Sequence, residues 1–77
     1  MNAKIAVREI MKRKGVGTNA LAARIGKIPR VVSDRLSMDR GRSISVETLD
    51  EMVRAMDYKV MLVPREMRVQ DGMYEIE

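Results

Sequence analysis

Along the first fourteen residues the apolar positions Ala3, Val7, Ile10 and Met11 fall at i, i+4, i+7 and i+8. That spacing marks one face of an α-helix. The run closes with Lys12, Arg13 and Lys14, cations suited to the negative end of a helix dipole. Gly15 follows as a residue free to take positive φ. A second helix opens at Thr18 or Gly17, where a threonine hydroxyl can accept from an unpaired backbone N–H. Leu21, Ala22 and Ile25 share its inner face, and Gly26 ends it after about two turns.

Residues 21–36, LAARIGKIPRVVSDRL, admit two readings: one long amphipathic helix, or two short helices joined by a turn. Pro29 decides between them. Inside a helix a proline removes a donor and collides with the carbonyl four residues back, at about 3 kcal/mol. At the first position its missing N–H costs little. The pattern therefore breaks at Gly26 and resumes as a third helix from Pro29 to about Leu36, with Val32 and Leu36 facing inward.

SMDRGRSIS, residues 37–45, is a loop centred on Gly41. Ser45 is a candidate N-cap, and Glu47 lies in the first turn of the helix that follows. Val46, Leu49, Met52, Val53 and Met56 form its apolar stripe, which ends near Asp57. The pattern then changes period. YKVMLV, residues 58–63, favours a β-strand and is stopped by Pro64. Asp71-Gly72 is a two-residue hairpin signal that would pair residues 65–70 with 73–77; a frayed, charged tail is the alternative. The expected organisation is a helical domain over 1–57 and a strand or tail over 58–77.

Composition changes this picture in three ways. A chain of 77 residues makes one domain with a marginal core, since chains of this size rarely gain more than about 3–5 kcal/mol from one. There is no cysteine and no histidine, so disulfides, thiolate zinc sites and the commonest general base are excluded. No cofactor is expected, nor an enzyme: there is no glycine-rich phosphate loop and no evident carboxylate pair. The eight methionines, with no Phe or Trp beside them, read as flexible core filler. No apolar run is long enough to span a membrane, and the N-terminus lacks the features of a signal peptide; a cytoplasmic protein is expected.

Charge adds a direction. Residues 1–42 hold eleven Lys and Arg against three acids, a net +8, while residues 43–77 hold four against eight, a net −4. A basic front and an acidic back suit a polyanion facing the first half.

Thr18–Leu36 resembles the helix-turn-helix of the Cro and lambda-repressor-like DNA-binding proteins (the XRE family), on the anchors Leu21, Ala22, Ile25, Gly26 and Val32. KIPRVVSDRL is similar to a recognition-helix variant of small phage and mobile-element regulators, and SVETLDEMVRAMDYKV to the helix that follows it. The resemblance covers about residues 3–57. It implies a mainly α fold, a lambda-repressor-like bundle of four or five short helices, here with a short C-terminal β-strand or hairpin. Two positions depart from the pattern. Arg35 stands where the family keeps an apolar residue, and Ile28 where it keeps a Ser or Thr cap.

In such domains the second helix of the motif lies in the major groove. The positions that would meet base edges here are Pro29, Arg30, Ser33 and Asp34. Arg30 can donate twice to guanine. Asp34 can accept from a cytosine amino group or orient Arg30 or Arg35. Pro29 either touches a thymine methyl or only opens the helix. Thr18, Lys27, Arg35, Arg40 and Arg42 are the candidate backbone contacts, whereas Lys12–Lys14 suit helix termination as well as DNA. The resemblance implies a dimeric repressor on a near-palindromic operator. Val60, Met61, Leu62 and Val63 are the candidate dimerisation strand, because a lone strand would leave its faces and edges bare. The other reading is a protein-binding adaptor or inhibitor on the same scaffold, such as an antitoxin whose acidic back grips a toxin, or a phage anti-defence protein.

Overall fold

The computed structural model describes residues 1–40 and 43–77, except for the side chain of residue 40. Four α-helices follow one another: α1 Ala3–Lys14, α2 Thr18–Arg24, α3 Pro29–Leu36 and α4 Val46–Arg54, with a single 3₁₀ turn at Met38–Arg40. The fold is mainly helical, and among the described residues no helix is long and apolar enough to cross a membrane.

Local chemistry accounts for each start. Asn2 caps α1 by accepting from the Ile5 N–H at 2.9 Å, and Ser45 caps α4 by accepting from the Thr48 N–H at 3.1 Å. At α2 the cap is Gly17 with no side-chain bond, and Thr18 is already the first helical residue. At α3 the cap is Ile28, also without a side-chain bond, and Pro29 opens the helix.

Three of the ends share one device. At Gly15 (φ 66°), Gly26 (φ 70°) and Asp57 (φ 64°) the chain turns left-handed. In each case the next residue's N–H reaches back five residues, Val16 to Met11, Lys27 to Ala22 and Tyr58 to Val53, all at 2.9 Å. This is the Schellman arrangement, which satisfies carbonyls that a helix end leaves unpaired.

One core joins all four helices. Val7 and Ile10 of α1, Leu21 and Ala22 of α2, Val32 and Leu36 of α3, and Met52 and Val53 of α4 are buried together with Val16 and Met56. Val46 departs from the expected stripe. It is the first residue of α4 and is 64% exposed, because the helix enters the core one turn later, at Leu49.

The expected C-terminal strand is a correction. Among the described residues there is no strand, in 58–63 or elsewhere. A strand needs a ladder partner, and this chain brings none alongside. The Asp71-Gly72 signal does make a turn, with the Met73 N–H donating to the Gln70 carbonyl at 3.0 Å. Gly72 alone takes positive φ (90°) there, so the turn is of type II. Hairpins need positive φ at the first central residue or at both, and type II splays the flanking segments.

The tail instead folds back onto α1. Tyr74 packs on Tyr58 with ring centroids 6.1 Å apart, and the Lys14 ammonium sits 5.7 Å from the centre of the Tyr58 ring. Arg13 donates to Asp71 at 3.3 Å, and the Glu77 N–H donates to the Met1 carbonyl at 3.0 Å.

Candidate nucleic-acid interface

The site is built around α3. Gly26 reverses the chain after α2, and three residues later Pro29 starts a helix whose φ it already satisfies. Val32 and Leu36 then fix which side of α3 is buried. At about 100° per residue, Arg30 and Asp34 fall opposite that side, Ser33 on its flank and Pro29 close to the line of Leu36. All four are exposed. The Arg30 side chain is 80% exposed, with its Nε 3.9 Å from the Asp34 carboxylate one turn on. That is too long for a hydrogen bond, and the guanidinium is open to solvent. Over two turns the exposed surface of α3 thus carries a bidentate donor, a hydroxyl and a carboxylate.

The candidate backbone contacts separate into groups. Thr18 is half-buried at the start of α2, and Lys27 is exposed in the turn before α3. Both precede α3 in the chain, one at the start of α2 and one in the turn between the two helices. Arg35 does not join them. Its guanidinium lies about 140° round the helix from Arg30 and donates to Glu51 of α4 at 2.5 Å, with its side chain 23% exposed. An arginine at a position that faces a neighbouring helix keeps its stem against that helix and takes a carboxylate partner. Arg42 and the Arg40 side chain, both expected at phosphates, lie outside the described residues.

The Arg35–Glu51 pair has an electrostatic signature. The hydrogen bond from Arg35 holds the Glu51 carboxyl below the ordinary carboxylate range, against the opposing effect of partial burial; the charges of Arg35 and Lys27 add to the lowering. A group whose pKa is depressed by folding stabilises the fold above its unfolded value and loses that contribution as pH falls through its folded one. Glu51→Gln is therefore expected to lower the melting temperature at neutral pH and to have no such effect well below the ordinary glutamate pKa of about 4.3. Thermal melts of the two proteins across that range check this. A penalty that persists undiminished at low pH would show that the ionised pair is not its source.

Several contacts have no counterpart in the sequence reading. Lys4, which a lysine in an amphipathic helix would place in solvent, is buried at 6% exposure. It donates to the Ser37 carbonyl at 2.7 Å, and Arg8 donates to the Leu36 carbonyl at 2.7 Å. The only available signal is their i, i+4 spacing on one side of α1. Arg13, one of the three cations closing α1, is held in its charged form by hydrogen bonding with Tyr74 and then Asp71, which directs it to the tail.

The candidate dimerisation residues are brought together and exposed: Val60 38%, Met61 62%, Leu62 98% and Val63 49%. Met67, Val69, Met73 and Ile76 extend the same apolar exposure along the tail. Among the described residues no group of three acidic, histidine or cysteine side chains could hold a metal ion.

Comparison with protein-family models, with curated proteins and with solved structures gives no match to this chain.

Proposed function

We propose that the chain is a sequence-specific, double-stranded DNA-binding regulator, a dimeric cytoplasmic repressor that inserts α3 into the major groove as the second helix of a helix-turn-helix. The observation that carries this reading is the division of α3. Val32 and Leu36 lie in the core, while Arg30, Ser33 and Asp34 stand exposed along its first two turns, on the half of the chain with net charge +8. Arg30 supplies a bidentate guanine contact. Ser33 and Asp34 discriminate the neighbouring bases, and Thr18 and Lys27 take phosphates on the α2 side.

Selection of bound duplexes from a random pool tests this directly. The expected product is a near-palindromic sequence with half-sites one helical turn apart, bound with a steep salt dependence because phosphate contacts release counterions. Recovery of no enriched sequence would defeat the reading.

The second copy is seated by residues 58–63. An apolar run with Leu62 98% exposed gains burial and a ladder partner together when it pairs with its symmetry mate. Leu62→Asp touches no core contact, so it is expected to leave the helical content unchanged and weaken the dimer at least about tenfold, the scale of an interface anchor. Sedimentation at tens of micromolar checks this; an unshifted dimer would place the interface elsewhere. The same exposed tail, acidic on balance, favours a second reading, an adaptor whose tail binds a protein such as a toxin. In that case the Leu62→Asp change abolishes capture of the partner and leaves the selected DNA bound as before.

A further inference from the structure

The helices α1, α2 and α4 close with a left-handed residue that satisfies their last carbonyls, and α3 does not. Its cap, Ser37, has φ −68° and ψ 122°, and its single return bond, the Ser37 N–H to the Asp34 carbonyl, is long at 3.4 Å. The carbonyls of Leu36 and Ser37 are taken instead by Arg8 and Lys4, at 2.7 Å each, from a helix 28 and 33 residues away in sequence. Lysines are almost never this buried without a partner, and no buried side-chain polar atom among the described residues lacks one. Two cations one turn apart on α1 thus meet the negative end of the α3 dipole. α4 also receives a distant donor, Arg24 to the Ala55 carbonyl at 3.1 Å, but beside its own left-handed cap; among the described helices α3 alone lacks that cap and rests on the cations of α1.

We infer that Lys4 and Arg8 are positioning residues for α3. By clamping its C-terminal end to α1, they fix the direction in which Arg30, Ser33 and Asp34 leave the domain. This rests on the DNA-binding reading above. An eight-residue helix is about 12 Å long. A tilt of roughly 10° about its clamped end would move its first turn by about 2 Å, several times the tolerance of about 0.5 Å for a productive contact. Neither cation touches DNA. Their effect is on the ratio of specific to non-specific binding.

The test uses the full chain with Lys4→Met and Arg8→Met, together and singly, and Arg8→Lys, which keeps a donor. Binding is measured to the selected duplex and to a random-sequence duplex of the same length, at a temperature where circular dichroism shows each protein folded. The double variant is expected to lose about tenfold or more in the specific-to-random ratio, with an unchanged salt slope. Arg8→Lys should keep most of the ratio. In the free double variant, amide exchange should quicken in α3 relative to α1. The exposed Arg8→Met, which leaves the buried site intact, carries the test if the double variant does not fold. An unchanged ratio with α3 exchange unmoved would overturn the inference, and a salt slope reduced by about two would do so as well, by making the cations phosphate contacts. A parent chain with no sequence preference would instead overturn the DNA reading on which the inference depends.

Discussion

Replacing Leu21 with alanine is expected to leave the chain largely unfolded at room temperature. Leu21 is among the largest side chains with no exposure at all, and it sits where α2 meets the rest of the core. Truncating such a leucine costs about 2–5 kcal/mol, through lost transfer free energy and the cavity left behind. In a larger domain that would be a tolerable defect. Here it equals the roughly 3–5 kcal/mol that a core of this size supplies. The absence of any cysteine removes a disulfide as a reserve, and only dimerisation or bound DNA can shift the balance back by mass action. Far-ultraviolet dichroism and a thermal melt measure the outcome. A cooperative melt within a few degrees of the parent would mean that α2 contributes little to holding the domain together.

The elements were legible where local chemistry sets them. The Lys-Arg-Lys-Gly ending of α1, the proline opening α3 and the serine before α4 each act within one turn of helix, and the observed boundaries follow them. What was not legible depended on partners distant in the chain. Val60–Val63 has the residues of a strand but no ladder to join, and Asp71 keeps the ordinary sign of φ, so a hairpin signal yields a type II turn. Lys4 reads as a surface residue until α3 ends beside it without a left-handed cap. Arg35 is similar. Its charge suggested phosphate, yet its position on α3 faces α4, and Glu51 was there to receive it. Exposure of Arg30, Ser33 and Asp34 on α3 was therefore legible from the periodicity. The pairing of Arg35 was not, because it depends on which residue of α4 the fold sets opposite.

Arg30→Ala is expected to remove sequence preference at the base pair that Arg30 reads and to weaken binding to the selected duplex strongly, while leaving the protein folded. The side chain is 80% exposed and its ion pair with Asp34 is a loose 3.9 Å approach, so its removal costs the fold little. A bidentate arginine–guanine contact is worth about 1–3 kcal/mol of discrimination. A symmetric dimer makes it in both half-sites, so affinity for the selected duplex should fall by roughly 2–6 kcal/mol, toward the non-specific level set by phosphate contacts. Gel shifts on the selected and a scrambled duplex give both values. Undiminished preference in the variant would remove α3 from the role of reader. Loss of preference at the position of one base pair per half-site, with the others kept, would identify the base that Arg30 contacts.

The division of α3 also bears on how such a protein could acquire a new address. The residues that anchor the helix (Val32, Leu36 and Arg35, with Lys4 and Arg8 behind its end) are a different set from those on its outer side. Pro29 apart, Arg30, Ser33 and Asp34 are exposed and stand outside the buried core cluster. They are free to vary together without passing through unstable intermediates, because each exposed substitution stays within about 0.5 kcal/mol of neutrality for the fold. A library randomised at these three positions should thus be almost wholly folded, and its members should differ in the duplex they select rather than in whether they exist as proteins. Retargeting becomes a search over letters on a fixed frame.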